Sequence, residues 1–146
     1  MNDRYLYRAK RTGNREWVEG YFLNVAKINA FICTGKIKLD GALKGIVAPE
    51  MYAVDRSTIC RCTGRKDEEQ NLIFEHDIIG FLDYTSTEGG YSERGCAGEV
   101  LWDDETLSFQ VTERLSAESY EVLGGTDCKV LGNIFDNPEL LEVDHE

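Results

Sequence analysis

The stretch CRCTGRKDEEQNLIFEHDIIGFLD, residues 60–83, decides how this chain is read. Ile59 to Cys62 reads as a short strand ending at Thr63-Gly64, where glycine suits a positive φ or a tight reversal. A polar and charged run follows, broken only by Leu72. Apolar character returns at Ile73 and Phe74, then at Ile78, Ile79, Phe81 and Leu82. Between them stands Glu75-His76-Asp77. An acidic residue just before a β-branched run brackets a turn, because its carboxylate accepts nearby backbone N–H groups. Asp77 therefore reads as a turn residue rather than a catalytic acid. Nothing in the stretch is a catalytic or ligand-binding signature.

Outward from there the chain reads as mostly β. A bend, a strand and a long Gly-rich loop from Tyr84 to Gly98 are how many small SH3-like barrels begin. Strands are expected at Glu99–Trp102 and, after a turn at Asp103–Glu105, at Thr106–Val111, where Leu107, Phe109 and Val111 keep period two. Tyr120–Leu123, a Gly124-Gly125 turn and Lys129–Leu131 complete the barrel. Upstream, Tyr5–Lys10 and Trp17–Leu23 flank a turn containing Gly13-Asn14 and form a hairpin. Asn29–Cys33 and Met51–Asp55 read as strands and Asp40-Gly41 as a turn; Ala42–Val47 is ambiguous between strand and helical turn. Pro49 breaks whatever precedes it. Asn133 and Asn137 favour turns, and Pro138 either stops a strand or starts a short helical turn. Leu140 and Leu141 are expected to fold back onto a core. The economical division is an N-terminal β region, 1–62, built on the hairpin, and a barrel-like β domain, 63–146, with an acidic tail at Val143–Glu146.

Charge follows the same division. Residues 1–62 hold eleven Lys/Arg against six Asp/Glu; residues 63–146 hold five against twenty-one, for a net of −11. Phosphate contacts dominate nucleic-acid affinity and need cations, so the acidic half is a poor nucleic-acid surface. The hairpin could stack bases on Tyr5, Tyr7, Trp17 and Tyr21 beside Arg8, Lys10 and Arg11. A cross-strand core set is the plainer account of those aromatics. Opposite charges on the two halves can steer subunits together head to tail. No apolar run has the length of a membrane span or signal peptide, so no membrane association and a cytoplasmic location in the host are expected. The odd number of cysteines, without framework spacing, reads as free thiols in a reducing compartment.

Chemical constellations are sparse. Cys60-x-Cys62 puts both sulfurs on one side of a strand, and His76, Cys96 or Cys128 could complete a zinc set, but a single Cys-x-Cys is a weak signal. No cofactor is expected. A catalytic cysteine would have to use His76 as its base, since His145 lies in the tail. Ser57, Ser86, Ser92 and Ser108 sit in no nucleophile elbow. Glu75 and Asp77 share strand parity and could pair for acid–base work or bind Mg²⁺, although turn chemistry explains them.

The sequence resembles the YopX-like proteins of bacteriophages and prophages, a family with no established activity. YLYRAKRTGNREWVEGYF is similar to its opening hairpin. YAVDRSTICRCTGRKD followed by IFEHDII is similar to its most recognisable core, in which Thr63, Gly64 and Asp67 form a TG-x-x-D turn and Phe74, Glu75, Asp77, Ile78 and Ile79 follow. GEVLWDD (98–104), containing Trp102, and LGNIFDNPELL (131–141), containing Asn133 and Pro138, resemble the later landmarks. The resemblance implies a mostly β fold, phage origin and an accessory intracellular role; it supplies no catalytic residue. Three positions depart from the pattern. His76 replaces a glycine, Glu69-Gln70 replaces an Asn-Gly-like turn, and Arg61-Cys62 replaces a Gln-aromatic pair. The first two imply a remodelled loop over 67–77.

Function is therefore expected to be a non-enzymatic protein-interaction module, with a protein partner or a homo-oligomer. Nucleic-acid-associated work is the first alternative, through the basic hairpin or acidic DNA mimicry, and a metal-dependent enzyme is the second.

Overall fold

The computed structural model describes residues 3–25, 29–39, 47–113, 119–121 and 128–142. The chain is mostly β, in two antiparallel sheets, and forms two compact units, Met1–Cys62 and Thr63–Glu146.

In the first unit, β1 (Tyr7–Lys10) and β2 (Trp17–Val25) form the expected hairpin, with Tyr7 opposite Gly20 and Lys10 opposite Trp17. Tyr5 lies before it in a 3-10 turn and is largely exposed. β3 (Asn29–Leu39) pairs with β2, and β4 (Val47–Ala53) pairs with β3. Pro49 does not break β4: it lies within the strand. Among the described strands β4 pairs only with β3, and proline is tolerated on an edge strand, where its missing N–H can face away from the ladder. Asp55 then caps a 3-10 turn over Arg56–Thr58, accepting the Ser57 N–H at 3.0 Å. Arg15 lies 2.9 Å from Asp55. Its hydrogen bond, with those from Ser57, holds the Asp55 carboxyl below the usual range. β5 (Cys60–Lys66) returns antiparallel to β1. Ala9, Ala30, Ile32 and Val54 form the core, with Tyr7, Val18, Phe22 and Ile59 packed against them.

In the second unit, β6 (Leu72–Phe74) neighbours β5. The segment from Tyr84 to Gly98 is not a loop. β7 (Asp77–Thr87) and β8 (Gly90–Asp103) form one long hairpin, paired from Ile78 opposite Glu99 to Thr87 opposite Gly90. Gly90, Gly95 and Gly98 stay in the ladder because backbone hydrogen bonding does not require a side chain, and Gly89 lies in the turn. The next strand, β9 (Ser108–Glu113), starts later than expected. Leu107 belongs to the preceding turn, with φ of 53°, and is 71% exposed rather than inward-facing. β10 (Ser119–Glu121) pairs with β9, and β11 (Cys128–Asn133) pairs with β7. The order is β10-β9-β8-β7-β11. Hydrogen bonds thus close no barrel among the described residues: β10 and β11 stand at opposite edges. The outer edge of β11 is met by the loop after β5, where the Glu68 N–H donates to the Cys128 carbonyl and the Val130 N–H to Asp67. Ile73, Ile79, Val100, Val111 and Cys128 form the core, with Phe81, Phe109 and Val130 against it. The turns expected at Asp40-Gly41 and Gly124-Gly125, the ambiguous Ala42–Ile46 and the tail Val143–Glu146 lie outside the described residues.

Candidate functional site

The polar residues singled out between 63 and 77 are engaged by the local backbone. The Thr63 hydroxyl donates to the Ile73 carbonyl at 2.8 Å and accepts the Arg65 N–H at 3.2 Å. Gly64 does not end its strand but sits within it at a φ of 80°. Asp67 is fully buried. Its Oδ1 accepts the N–H groups of Glu69 and Asn71 at 3.0 and 2.8 Å; its Oδ2 accepts the Val130 N–H at 3.0 Å and the Asn71 amide at 3.3 Å. Burial pushes this carboxyl up, but those donors outweigh it and hold it below the ordinary range. Asp77, also fully buried, accepts the N–H of buried Phe74 at 2.8 Å. Glu75 between them is half-buried. Asp67, with both oxygens filled by fixed N–H donors, closes its turn, and Asp77 accepts a backbone N–H across the Glu75-His76 turn.

The substituted glycine-like positions keep left-handed backbone: Gln70 has φ of 68° and His76 of 69°. His76 is where the three landmark segments of this unit meet. Its N–H donates to the Val100 carbonyl at 2.8 Å, and its carbonyl accepts the Ile134 N–H at 3.1 Å. Its Nδ1 lies 2.7 Å from Glu99 Oε2. A carboxylate can only accept, so Nδ1 carries the proton. Phe135 meets the ring edge-on, with centroids 5.8 Å apart. The tertiary bonds offset the cost of a non-glycine residue at positive φ.

Downstream, Asn133 Oδ1 accepts the N–H groups of Phe135 and Asp136 at 3.0 and 2.9 Å. Asn137 N–H donates to the Asn133 carbonyl, and Pro138 begins a 3-10 turn over Pro138–Leu141. Leu141 is half-buried, whereas Leu140 stays 39% exposed, so neither joins the core as expected. Between this turn and the sheet lies an open cleft of about 330 Å³, lined by Glu99, Leu101, Thr112, Ile134, Pro138 and Leu141. Trp102 is not part of it; its Nε1 donates to Asp104 at 2.9 Å and its ring meets Phe109 edge-on. A shallower groove of about 510 Å³ crosses Gly80, Gly95 and Ala97 between Leu82 and Leu131, with Lys129 at its margin. Both are mainly apolar and suit hydrophobic side chains better than charged substrates.

All five cysteines are free; Cys60, Cys62, Cys96 and Cys128 are buried and Cys33 is half-buried. Cys60 Sγ donates to the Thr58 carbonyl at 3.2 Å. Among the described residues no three His, Cys, Asp or Glu side chains come together as metal ligands, so the zinc set suggested for Cys60, Cys62 and His76 is not assembled there. On the hairpin, the Arg8 guanidinium and Lys10 ammonium lie 4.8 and 5.4 Å from the Trp17 ring centroid, and Arg11 lies 4.1 Å from that of Tyr52. Sequence reasoning missed Glu99 as the partner of His76, because nothing in their spacing pairs them.

No curated protein matches the chain. Its structure is similar to the crystal structure of protein EF1440 from Enterococcus faecalis, at 26% identity and a TM-score of 0.54, over 93% of this chain and 96% of that one. The model of the YopX protein family matches residues 6–142. The match covers nearly the whole chain, from the opening hairpin through the 3-10 turn at Pro138, and the chain belongs to the YopX protein family.

Proposed function

We propose that this chain is a non-enzymatic protein-interaction or self-assembling β module, an accessory protein of phage or prophage origin acting in the cytoplasm of its bacterial host. One observation carries the reading. Large apolar side chains stand out on the sheets: Leu23, Val25 and Met51 in the first unit and Leu82 and Leu131 in the second are 38–52% exposed. Clustered exposed apolar side chains favour contact with another protein surface. The buried carboxylates Asp67 and Asp77 are tied to backbone donors. Base stacking on the hairpin finds less support, since Arg8 and Lys10 already lie over Trp17.

Affinity capture of tagged protein from phage-infected host lysate, read by mass spectrometry beside the solution mass of the pure protein, tests this. A stoichiometric partner or a defined homo-oligomer is expected. A monomer that captures nothing would sink the reading. Capture of a basic DNA-binding protein in a salt-sensitive complex would move it to DNA mimicry.

A further inference from the structure

The cleft beside the 3-10 turn at Pro138 has both of its walls fixed by hydrogen bonds. Glu99 and Leu101 on β8 and Thr112 on β9 form one wall. Glu99 is the register partner of Thr112, and all three alternate with the core residues Val100 and Val111, so they share the opposite face of the sheet. Ile134, Pro138 and Leu141 form the other wall. His76 ties the two together. Its Nδ1–H donates to Glu99 Oε2, its N–H to the Val100 carbonyl, and its carbonyl accepts the Ile134 N–H. Asn133 sets the path of the turn by accepting the N–H groups of Phe135 and Asp136 on its side chain and that of Asn137 on its carbonyl. A cleft framed in this way exists before its occupant arrives, which lowers the ordering cost of binding.

One oxygen in the cleft is left over. The Glu99 side chain is 22% exposed and gives Oε2 to His76; Oε1 accepts no hydrogen bond among the described residues. A carboxylate partly withdrawn from water is stabilised by a cation or a donor beside it. We propose that this cleft binds a lysine side chain of a protein partner, with the aliphatic stem against Leu101, Ile134, Pro138 and Leu141 and the ammonium on Glu99 Oε1. This rests on the interaction-module reading above and gives that module a site and the chemistry of its partner.

Shape and charge both select lysine. Apolar walls that end at one carboxylate match a side chain built as a hydrocarbon stem with a cationic tip. A purely aliphatic side chain would cover the Glu99 oxygen and leave it without a donor. The fork of an arginine uses both oxygens of a carboxylate, and one of these is taken by His76, whereas an ammonium is a point charge that needs one. The volume of about 330 Å³ is at the small end of ligand sites and takes one long side chain with its flanking backbone. Charge across the unit points the same way. Residues 63–146 hold five Lys/Arg against twenty-one Asp/Glu, which draws a basic partner in and repels an acidic one.

An NMR titration of the full chain with the capped tripeptide acetyl-Ala-Lys-Ala-amide tests the site. The peptide should shift the backbone amides of Leu101, Thr112, Ile134 and Leu141 and saturate with about millimolar affinity. Norleucine in place of the lysine keeps the stem without the ammonium and should weaken binding at least about tenfold. Glu99→Gln keeps an acceptor for His76, removes the charge, and should weaken it as much. Leu141→Lys hangs an ammonium of the chain's own over the cleft and should abolish binding; it serves where Glu99→Gln folds poorly. Glu105→Gln makes an equal charge change in the exposed turn between β8 and β9 and should leave the affinity unchanged. Absence of saturable shifts, a norleucine peptide that binds as well, or undiminished binding by Glu99→Gln and Leu141→Lys would each overturn the assignment. Binding of n-butylamine as tight as that of the peptide would give the cleft to free amines and overturn the protein partner. Affinity capture separates this site from the broader reading. A partner held equally by wild type and Glu99→Gln would overturn the lysine site alone, whereas wild type that stays monomeric and captures nothing would overturn both.

Discussion

At the scale of single residues, Asp67 has the clearest physical consequence. Its buried carboxylate holds three backbone N–H groups, one of them on β11, so it closes a local loop and also ties that loop to a strand far along the chain. Asp67→Asn keeps the shape but turns an N–H₂ toward donors, and should cost about 2–3 kcal/mol in urea unfolding at pH 7. The pH dependence has a definite sign. The folded carboxyl lies below its ordinary value, about 3.9 in the unfolded chain, so its stabilisation is present above that value. It is lost as pH falls through the folded value. The melting-temperature gap between wild type and Asp67→Asn should therefore be full at neutral pH and narrow progressively below about pH 4. His76 offers a second test. Alanine there keeps the positive-φ strain and loses Glu99, whereas glycine removes the strain as well. His76→Gly should be more stable than His76→Ala by about 1 kcal/mol, and equal stabilities would argue against left-handed backbone at this position. Asp77 was legible as a turn residue, and Asp67 through the family's TG-x-x-D pattern, because most of their donors are near in sequence. The bond from Val130 to Asp67 was not, being a product of strand packing.

At the scale of elements, the β7–β8 hairpin differs most from its sequence reading. Four glycines between Gly89 and Gly98 resemble a loop, yet each has a ladder reason or room. A Cβ on Gly98 would lie 2.6 Å from the Thr112 carbonyl oxygen, while one on Gly95 would meet open space. Gly98→Ala should destabilise by about 2–4 kcal/mol, and Gly95→Ala should stay within about 0.5 kcal/mol, in parallel chemical denaturation. Similar losses in both would show that the glycines act through chain flexibility rather than close approach. Pro49 and Leu107 teach the same point from the other direction. A residue's local preference is overridden when the element it joins is an edge or a turn.

At the scale of the whole molecule, charge sets the conditions for assembly. Each chain carries −11, so two copies repel at long range whatever their contact surface. Raising salt from low to about half-molar shortens the Debye length to a few ångströms and should strengthen self-association through apolar surface severalfold. Head-to-tail contact between the basic residues of one copy and the acidic residues of another would weaken instead. Sedimentation across a salt series separates the two. Among the described residues no helix is long and apolar enough to cross a membrane.

The sequence by itself determined the β content, the opening hairpin, the carboxylate-closed turns and the family, because each rests on spacing within a few residues. Hydrophobic runs at Tyr21–Leu23, Ala30–Cys33 and Met51–Val54 were also in plain view. Periodicity, however, tells which residues share a face of one strand, not which strands align or which face is left uncovered. Only the tertiary structure aligned Tyr21, Cys33 and Met51 in one row, set Glu99 beside His76, and left the second sheet unclosed among the described residues. Those outcomes depend on register between strands distant in sequence, where backbone hydrogen bonds are nearly interchangeable and side-chain packing across the whole sheet decides among them.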